Sequence, residues 1–459
     1  MKIVSELKHI FRAYDVRGVF NVDLTVETAA KIGASLGTYL GGEGKVLVGR
    51  DVRTSSSLVE CAFNVGLASA GVDVVSTGLV PIPVANFKTL TGDFDAGAYI
   101  TASHNPPEYN GVRLRRSDGS GYTVENQRVW NIFLGNKTKY AGWDALGSIN
   151  SIEAEETINE YKSYLLDRIS LQGPLRIILD VGNGAAYYTA PLVLRAAGVE
   201  VSVINGEPDG TFPGRPSEPS DVTLLKLKET VVREKVDFGA GYDGDSDRVI
   251  FVDDKGRTVQ TEKIGIILAR EILSRKKGGV VVANVSCSMI VEEEIGKLGG
   301  VVKRVRVGDV FVCEAIKKHK AVFALETSAH LFIPEFYIFD DPILATLLLA
   351  KTLSVNGERL SQMVDAIPSY PYREKNFRCD DAIKFRVVDE VRKAMSAEGY
   401  EIDVTDGVKA NFEDGWLLLR PSNTNPLIRM AAEARDKKRL DELVSFAERE
   451  IQRAKAKFK

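Results

Sequence analysis

Three aspartates fall within five residues of the run Gly241-Tyr242-Asp243-Gly244-Asp245-Ser246-Asp247-Arg248. On a tight loop, carboxylates at alternating positions converge on one point. Left unpaired they repel, and one must keep its proton. A hard divalent cation removes that conflict, and an all-oxygen donor set favours magnesium or calcium. The spacing is also that of an EF-hand loop. However, Arg248 stands where that loop needs glycine, and apolar runs (Val236 to Ala240, Val249 to Val252) flank it as strands rather than helices. The plain alternative is a solvated acidic turn in a hairpin.

Three further loops carry groups that could do chemistry. Thr101-Ala102-Ser103-His104-Asn105-Pro106-Pro107 follows the apolar strand Ala96 to Ile100, so Ser103 sits at a strand end in a proline-stiffened loop. A serine there can be a nucleophile, a phosphate carrier or a turn residue. The G-x-S-x-G elbow of hydrolases is absent. Leu325-Glu326-Thr327-Ser328-Ala329-His330 follows the strand Ala321 to Leu325. Alternation would aim Glu326, Ser328 and His330 the same way, a set suited to gripping sugar hydroxyls or simply a polar strand end. Arg420-Pro421-Ser422-Asn423-Thr424-Asn425-Pro426, with Arg429 close behind, has the makings of a phosphate cradle of guanidinium forks and hydroxyls. A Pro/Asn-rich turn is the alternative.

These loops must be held by regular elements, and an internal repeat shows which. An apolar strand at Lys45 to Gly49 leads into a helix ending Ser69-Ala70-Gly71, then a strand at Val72 to Val75. The pattern returns from Arg176 to Asp180 through Ala196-Ala197-Gly198 to Val199–Val203. It returns again from Gly279 to Ala283 through Leu298-Gly299-Gly300 to Val301–Val305. The glycines predict left-handed helix stops, and the continuous Val/Ile runs predict strands covered on both faces. After Pro368 and Pro371 the pattern changes. A helix at Ala382 to Gly399, short strands over Gly407 to Arg420 turning at Asp414-Gly415, and a long amphipathic helix at Asp436 to Lys457 read as an α+β module. The fold expected is therefore three topologically similar α/β domains (1–150, 151–253 and 254–367) plus a C-terminal α+β domain (368–459).

Composition limits the partners. The chain has 459 residues, 60 Lys plus Arg against 63 Asp plus Glu, and a net charge of −3. It has no global field for nucleic acid or an acidic membrane. Apolar stretches such as Ile343 to Ala350 fall far short of the roughly 20 residues that cross a bilayer, and the start shows no signal-peptide core. Cys61, Cys287, Cys313 and Cys379 form no CxxC. They read as small buried side chains in a reducing cytoplasm, although an oxidising compartment would let them pair. Localisation is expected to be cytoplasmic, and the partners small molecules.

Together the four loops resemble the α-D-phosphohexomutases, which include phosphomannomutase, phosphoglucomutase and phosphoglucosamine mutase. Phe11-Arg12-Ala13-Tyr14-Asp15-Val16-Arg17-Gly18 is similar to the family's opening signature, and the other three motifs follow in the family's order over nearly the whole chain. The resemblance implies four domains around a central cleft. It implies an isomerase that interconverts hexose 1- and 6-phosphates of mannose or glucose through a phosphoserine and a bound hexose 1,6-bisphosphate. It makes Ser103 the phosphoryl carrier, with Asp243, Asp245, Asp247 and Ser103 around Mg2+. His104, Arg17, Arg113 and Arg248 become the catalytic groups. Glu326, Ser328 and His330 become sugar contacts, joined by Tyr14, Gly308 and Asp309. Arg420, Ser422, Asn423, Thr424 and Arg429 are left to hold the phosphate not being transferred.

Some positions depart from the family pattern. Asn110-Gly111-Val112-Arg113 stands where close relatives have N-G-x-K, and an arginine carries a proton less readily than that lysine. His104, Arg17 and His330 are then the other acid/base candidates. Leu325 and Ala329 replace the glycines of G-E-x-S-G-H, Asn425 replaces a glutamate, and Ser286 replaces a lysine. Three alternatives accompany the mannose/glucose reading: a phosphoglucosamine mutase, a phosphatase of the aspartyl-phosphate type, and a non-catalytic sugar-phosphate-binding paralogue.

Overall fold

The computed structural model describes residues 4–422 and 426–458. The chain divides into two compact units, Met1–Leu268 with Ser328–Val364, and Ala269–Thr327 with Asp365–Lys459.

Unit one carries two sheets built on one plan. In the first, Lys45–Arg50 lies between Asp73–Leu79 and Ala96–Ile100 and is parallel to both, while Tyr109–Arg116 runs antiparallel beside Ala96–Ile100. Val16–Val19 and Ile149–Ser151 extend its edges to six strands. In the second, Arg176–Asp180 lies parallel between Glu200–Ile204 and Phe238–Tyr242, and Val249–Asp253 returns antiparallel. The central strands are apolar because helices cover them: Val46, Val48, Ile178 and Leu179 have no exposed surface. Unit two repeats the core of the plan, with Gly279–Asn284 parallel between Gly300–Val305 and Phe323–Leu325. The three glycines read as helix stops take the left-handed backbone, Gly71 at φ 92°, Gly198 at 91° and Gly299 at 73°. A side chain there would meet its own carbonyl, so the repeat is punctuated by the one residue that avoids the clash.

The remainder of unit two is a five-stranded antiparallel sheet, in the order Tyr372–Arg378, Leu427–Ala434, Gly415–Pro421, Val408–Phe412, Glu401–Asp403. Helices Lys384–Ala397 and Lys437–Ala456 pack their apolar stripes on it, through Val387, Val391, Leu440, Leu443, Ala447 and Ile451. The Asp436 carboxylate caps the second helix by accepting from the Arg439 N–H. Among the described residues no helix is long and apolar enough to cross a membrane. All four cysteines are unpaired. Cys287, Cys313 and Cys379 are buried as expected, but Cys61 is exposed, because its helix turns that face outward.

Candidate active site

In both sheets of unit one the chemistry lies in the same place: the loop joining the third parallel strand to the antiparallel fourth. Residues 101–108 occupy it in the first sheet and residues 243–248 in the second. The two loops meet. Ser103 Oγ lies 3.2 Å from Asp243 Oδ2 and 3.2 Å from His104 Nδ1. Ser103 is fully buried and takes φ +50°, a conformation that costs a non-glycine residue about 1 kcal/mol. The loop is held in it from several sides. The Ser103 N–H donates to Thr101 Oγ1 at 2.7 Å. Arg17 donates to the Ala102 carbonyl at 3.2 Å and to Asn105 Oδ1 at 2.8 Å, while its Nε pairs with Asp15 at 2.8 Å. Tyr14, half-buried, belongs to the same segment.

Asp243, Asp245 and Asp247 are buried, and one oxygen from each lies within 4.8 Å of the others. Burial, followed by the neighbouring charges of Asp247 and Asp245, pushes Asp243 well above the ordinary carboxylate range. Burial and Asp247 likewise raise Asp245 to about 6. Asp245 Oδ1 and Asp247 Oδ1 are buried with no hydrogen-bond partner. Orphaned carboxylate oxygens beside a serine oxygen make a hard, all-oxygen donor set, and a divalent cation of the magnesium kind fits it.

Positive groups close the site. Arg113 reaches Asp247 Oδ2 at 2.5 Å and Asp245 Oδ2 at 3.8 Å. Arg248 Nε, which always carries hydrogen, donates to His330 Nε2 at 3.0 Å, and His330 Nδ1 faces Asp340 Oδ2 at 2.5 Å. With Arg248 as donor the ring would accept at Nε2. Burial disfavours its charged form, but the carboxylates of Asp247 and then Asp340 outweigh this and raise its pKa to about 9, so the Arg248 contact and the two carboxylates pull its protonation in opposite directions. The guanidinium of Arg248, then burial, then Arg17 lower His104 to about 2, so this ring is neutral at working pH.

The expected alternation of Glu326, Ser328 and His330 does not hold. The strand stops at Leu325, residues 327–328 form a turn, and Ala329 takes φ +73°. With the extended backbone lost, period-two logic ends. In unit two, Glu326 Oε1 accepts from Asn284 Nδ2 at 3.0 Å and from the Gly308 N–H at 2.8 Å, just before the helix Asp309–His319. Arg420 and Arg429 are cross-strand partners on adjacent strands. Like charges placed opposite each other destabilise a sheet unless an anion joins them, and here Asp406 Oδ2 takes Arg420 at 3.0 Å. Ser422 is buried and its N–H donates to the Leu427 carbonyl. Asn423 and Thr424 lie outside the described residues.

Several structural residues around the loops were not singled out from sequence. Asp51 and Arg53 form a fully buried pair beneath residues 101–109, Asp180 and Arg215 form another beneath Tyr242, and Asp340 backs His330. Asp51 and Asp180 did carry a signal, since each stands at the C-terminal end of its repeat's first strand.

The comparisons match the fold and its repeat. Models of the phosphoglucomutase/phosphomannomutase family match in order: alpha/beta/alpha domain I at residues 8–139, domain II at 156–256, domain III at 260–370 and the C-terminal domain at 374–449. A probable phosphoglucosamine mutase of Methanopyrus kandleri is 38% identical over 434 residues, 94% of this chain and 95% of that one. A phosphoglucomutase/phosphomannomutase of Thermococcus kodakarensis is 33% identical over 446 residues, 95% and 97% of the two chains. The crystal structure of a phosphoglucomutase/phosphomannomutase family protein from Burkholderia thailandensis superposes with a TM-score of 0.90 at 26% identity, covering 97% and 98%. Four domain models in sequence, on a fold with the same repeat, show that the chain belongs to the phosphoglucomutase/phosphomannomutase family and is a phosphohexomutase, an intramolecular phosphotransferase.

Proposed function

We propose that this phosphohexomutase interconverts glucosamine 6-phosphate and glucosamine 1-phosphate, with Ser103 as the phosphoryl carrier. One observation supports the mechanism: Ser103 Oγ, buried, stands 3.2 Å from the Asp243 carboxylate, beside two acidic oxygens that have no hydrogen-bond partner. The choice of sugar is supported by relatives named phosphoglucosamine mutase at 36–38% identity. The 33% relative named phosphoglucomutase/phosphomannomutase supports a second reading, glucose and mannose phosphates.

In this reading phosphorylated Ser103 gives its phosphoryl group to a free sugar hydroxyl. The serine P–O bond breaks, a sugar P–O bond forms, and the hydroxyl proton leaves. The resulting bisphosphate turns around and returns its other phosphate to Ser103. Asp243, Asp245 and Asp247, with Ser103, would hold Mg2+, which when bound neutralises charge on the phosphoryl oxygens. Arg248 and Arg113 add fixed positive charge beside the carboxylates. His330, backed by Asp340, exchanges the hydroxyl proton. His104, uncharged at working pH, orients Ser103, and Arg17 braces its loop. Glu326 and Ser328 take sugar hydroxyls, with Tyr14, Gly308 and Asp309 alongside. Arg420, Ser422, Asn423, Thr424 and Arg429 hold the second phosphate. The domains follow residues 1–150, 151–253, 254–367 and 368–459.

The test is a parallel assay of glucosamine, glucose and mannose phosphates with Mg2+ and a hexose 1,6-bisphosphate. The expected outcome is the highest kcat/KM on glucosamine phosphate. Release of free phosphate without isomerisation of any of the three would sink the mutase reading.

A further inference from the structure

Arg53 turns both terminal nitrogens of its guanidinium to the carbonyls of residues 103, 105, 106 and 109. It has no exposed surface, and all five of its N–H groups have acceptors. Nε donates to Asp51 Oδ2 at 3.0 Å. One terminal nitrogen donates to the Pro106 carbonyl at 2.6 Å and the Tyr109 carbonyl at 3.0 Å. The other donates to the carbonyls of Ser103 and Asn105, each at 2.7 Å. A lysine has three donors on a single atom and cannot span four carbonyls. The second sheet repeats the device. Arg215, also buried, donates to Asp180 Oδ2 at 3.0 Å and to the carbonyl of Tyr242, the residue before Asp243.

We propose that Arg53 is a positioning residue: with Asp51 it fixes the carbonyl face of the Ser103 loop and so sets where Ser103 Oγ stands, while Arg215 with Asp180 does the same for the start of the Asp243 loop. The inference rests on Ser103 being the phosphoryl carrier and says what holds it in place. The need for a staple follows from the backbone. Ser103 holds a left-handed φ whose one local tie is its N–H to Thr101 Oγ1, and neighbouring loop polypeptide presses close, since a Cβ at Gly244 would come within 2.9 Å of the Ser103 carbonyl oxygen. Asp51 supplies the countercharge and a second tie, because the Thr101 hydroxyl lies 2.8 Å from its Oδ2. Ser217 Oγ, in the long connection between the strands Glu200–Ile204 and Phe238–Tyr242, reinforces the same face, donating to the Asn105 carbonyl at 3.1 Å. A positioned nucleophile displaced by about 1 Å loses on the order of 100-fold in rate.

The test is Arg53→Lys in the full chain. The expected result is a kcat lower by about 100-fold with KM unchanged within about threefold. Intact mass should show Ser103 phosphorylated by a hexose 1,6-bisphosphate to the same final extent as in the unaltered protein, only more slowly. A merely structural role would lower the phosphorylatable fraction and leave the rate per phosphorylatable site unchanged, and that result would overturn the proposal. If Arg53→Lys does not fold, Ser217→Ala decides. It removes only the second donor to the Asn105 carbonyl and is expected to lower kcat by about threefold to tenfold at constant KM. An unchanged kcat there overturns the proposal. An unaltered protein that shows no mutase turnover would count against the assigned function itself, so the two failures are told apart by that first measurement.

Discussion

Ser103 and Asp243 stand 140 residues apart in the chain and 3.2 Å apart in space. Each lies in the loop after the third parallel strand of its own copy of one repeated sheet plan, so the contact joins the corresponding loops of two sheets.

Replacing Ser103 with alanine removes only Oγ. The backbone ties from Thr101 and Arg53 remain. Turnover is expected to fall by at least about 1,000-fold, with the melting temperature moving by no more than about 3 °C. Calorimetry should still detect sugar phosphate binding. Mutase activity near that of the unaltered protein, assayed with added hexose bisphosphate, would remove Ser103 from the mechanism.

Asp245→Asn separates the metal from the fold. In a chelator the substitution removes one of three crowded buried carboxyl groups and is expected to raise stability by about 1–2 kcal/mol. With Mg2+ at a hundred times its dissociation constant the unaltered protein gains about 2.7 kcal/mol, and the variant gains much less. The order of melting temperatures should therefore invert between chelator and Mg2+. Curves that shift in parallel would mean that the three aspartates hold no ion.

Lys409 makes part of the stability of unit two pH-dependent. Its ammonium is buried over the Trp416 ring, 4.4 Å from the centroid, and donates to the Val285 carbonyl at 2.8 Å. Burial, then the charge of Arg304, lowers its pKa from 10.5 to about 7. Between these values the unfolded chain binds the extra proton, so stability from this group is complete above 10.5 and is lost as pH falls through 7. Lys409→Met should be more stable than the unaltered protein at pH 6.5 by on the order of 2 kcal/mol. The advantage should shrink by pH 9.5. A difference between the two proteins that stays constant across that range, in thermal melts, would contradict the buried charge.

Glu326→Gln tests the sugar contact without disturbing the loop, because the remaining carbonyl oxygen can still accept from Asn284 and Gly308. Losing a charge-assisted bond to a hydroxyl or ammonium is expected to raise KM about tenfold. The increase should be greater for glucosamine phosphate than for glucose phosphate. An unchanged KM for all three sugars would place Glu326 in a purely structural role.

Much of the site could be read before any coordinates, and for local reasons. Asp243, Asp245 and Asp247 announce themselves because carboxylates two residues apart must be explained. Ser103 stands out because it follows a strand and precedes two prolines. The helix stops at Gly71, Gly198 and Gly299 were legible because one backbone conformation excludes side chains. Arg53 and Arg215 were not legible. An arginine in a string of letters gives no sign that it is buried with every donor engaged. The expectation for Glu326, Ser328 and His330 failed where Ala329 takes a left-handed turn, since alternation holds only while the strand lasts.

The amino-acid sequence by itself determined the repeat, its strands and stops, and the chemical types on each loop, because these depend on neighbours a few residues away. Only the tertiary structure decided that Ser103 faces Asp243, that Arg113 answers Asp247, that Arg420 stands opposite Arg429, and that two buried arginines hold the first two loops. Those contacts join distant segments, and their energies depend on burial and charge balance, which exist only once the chain has packed.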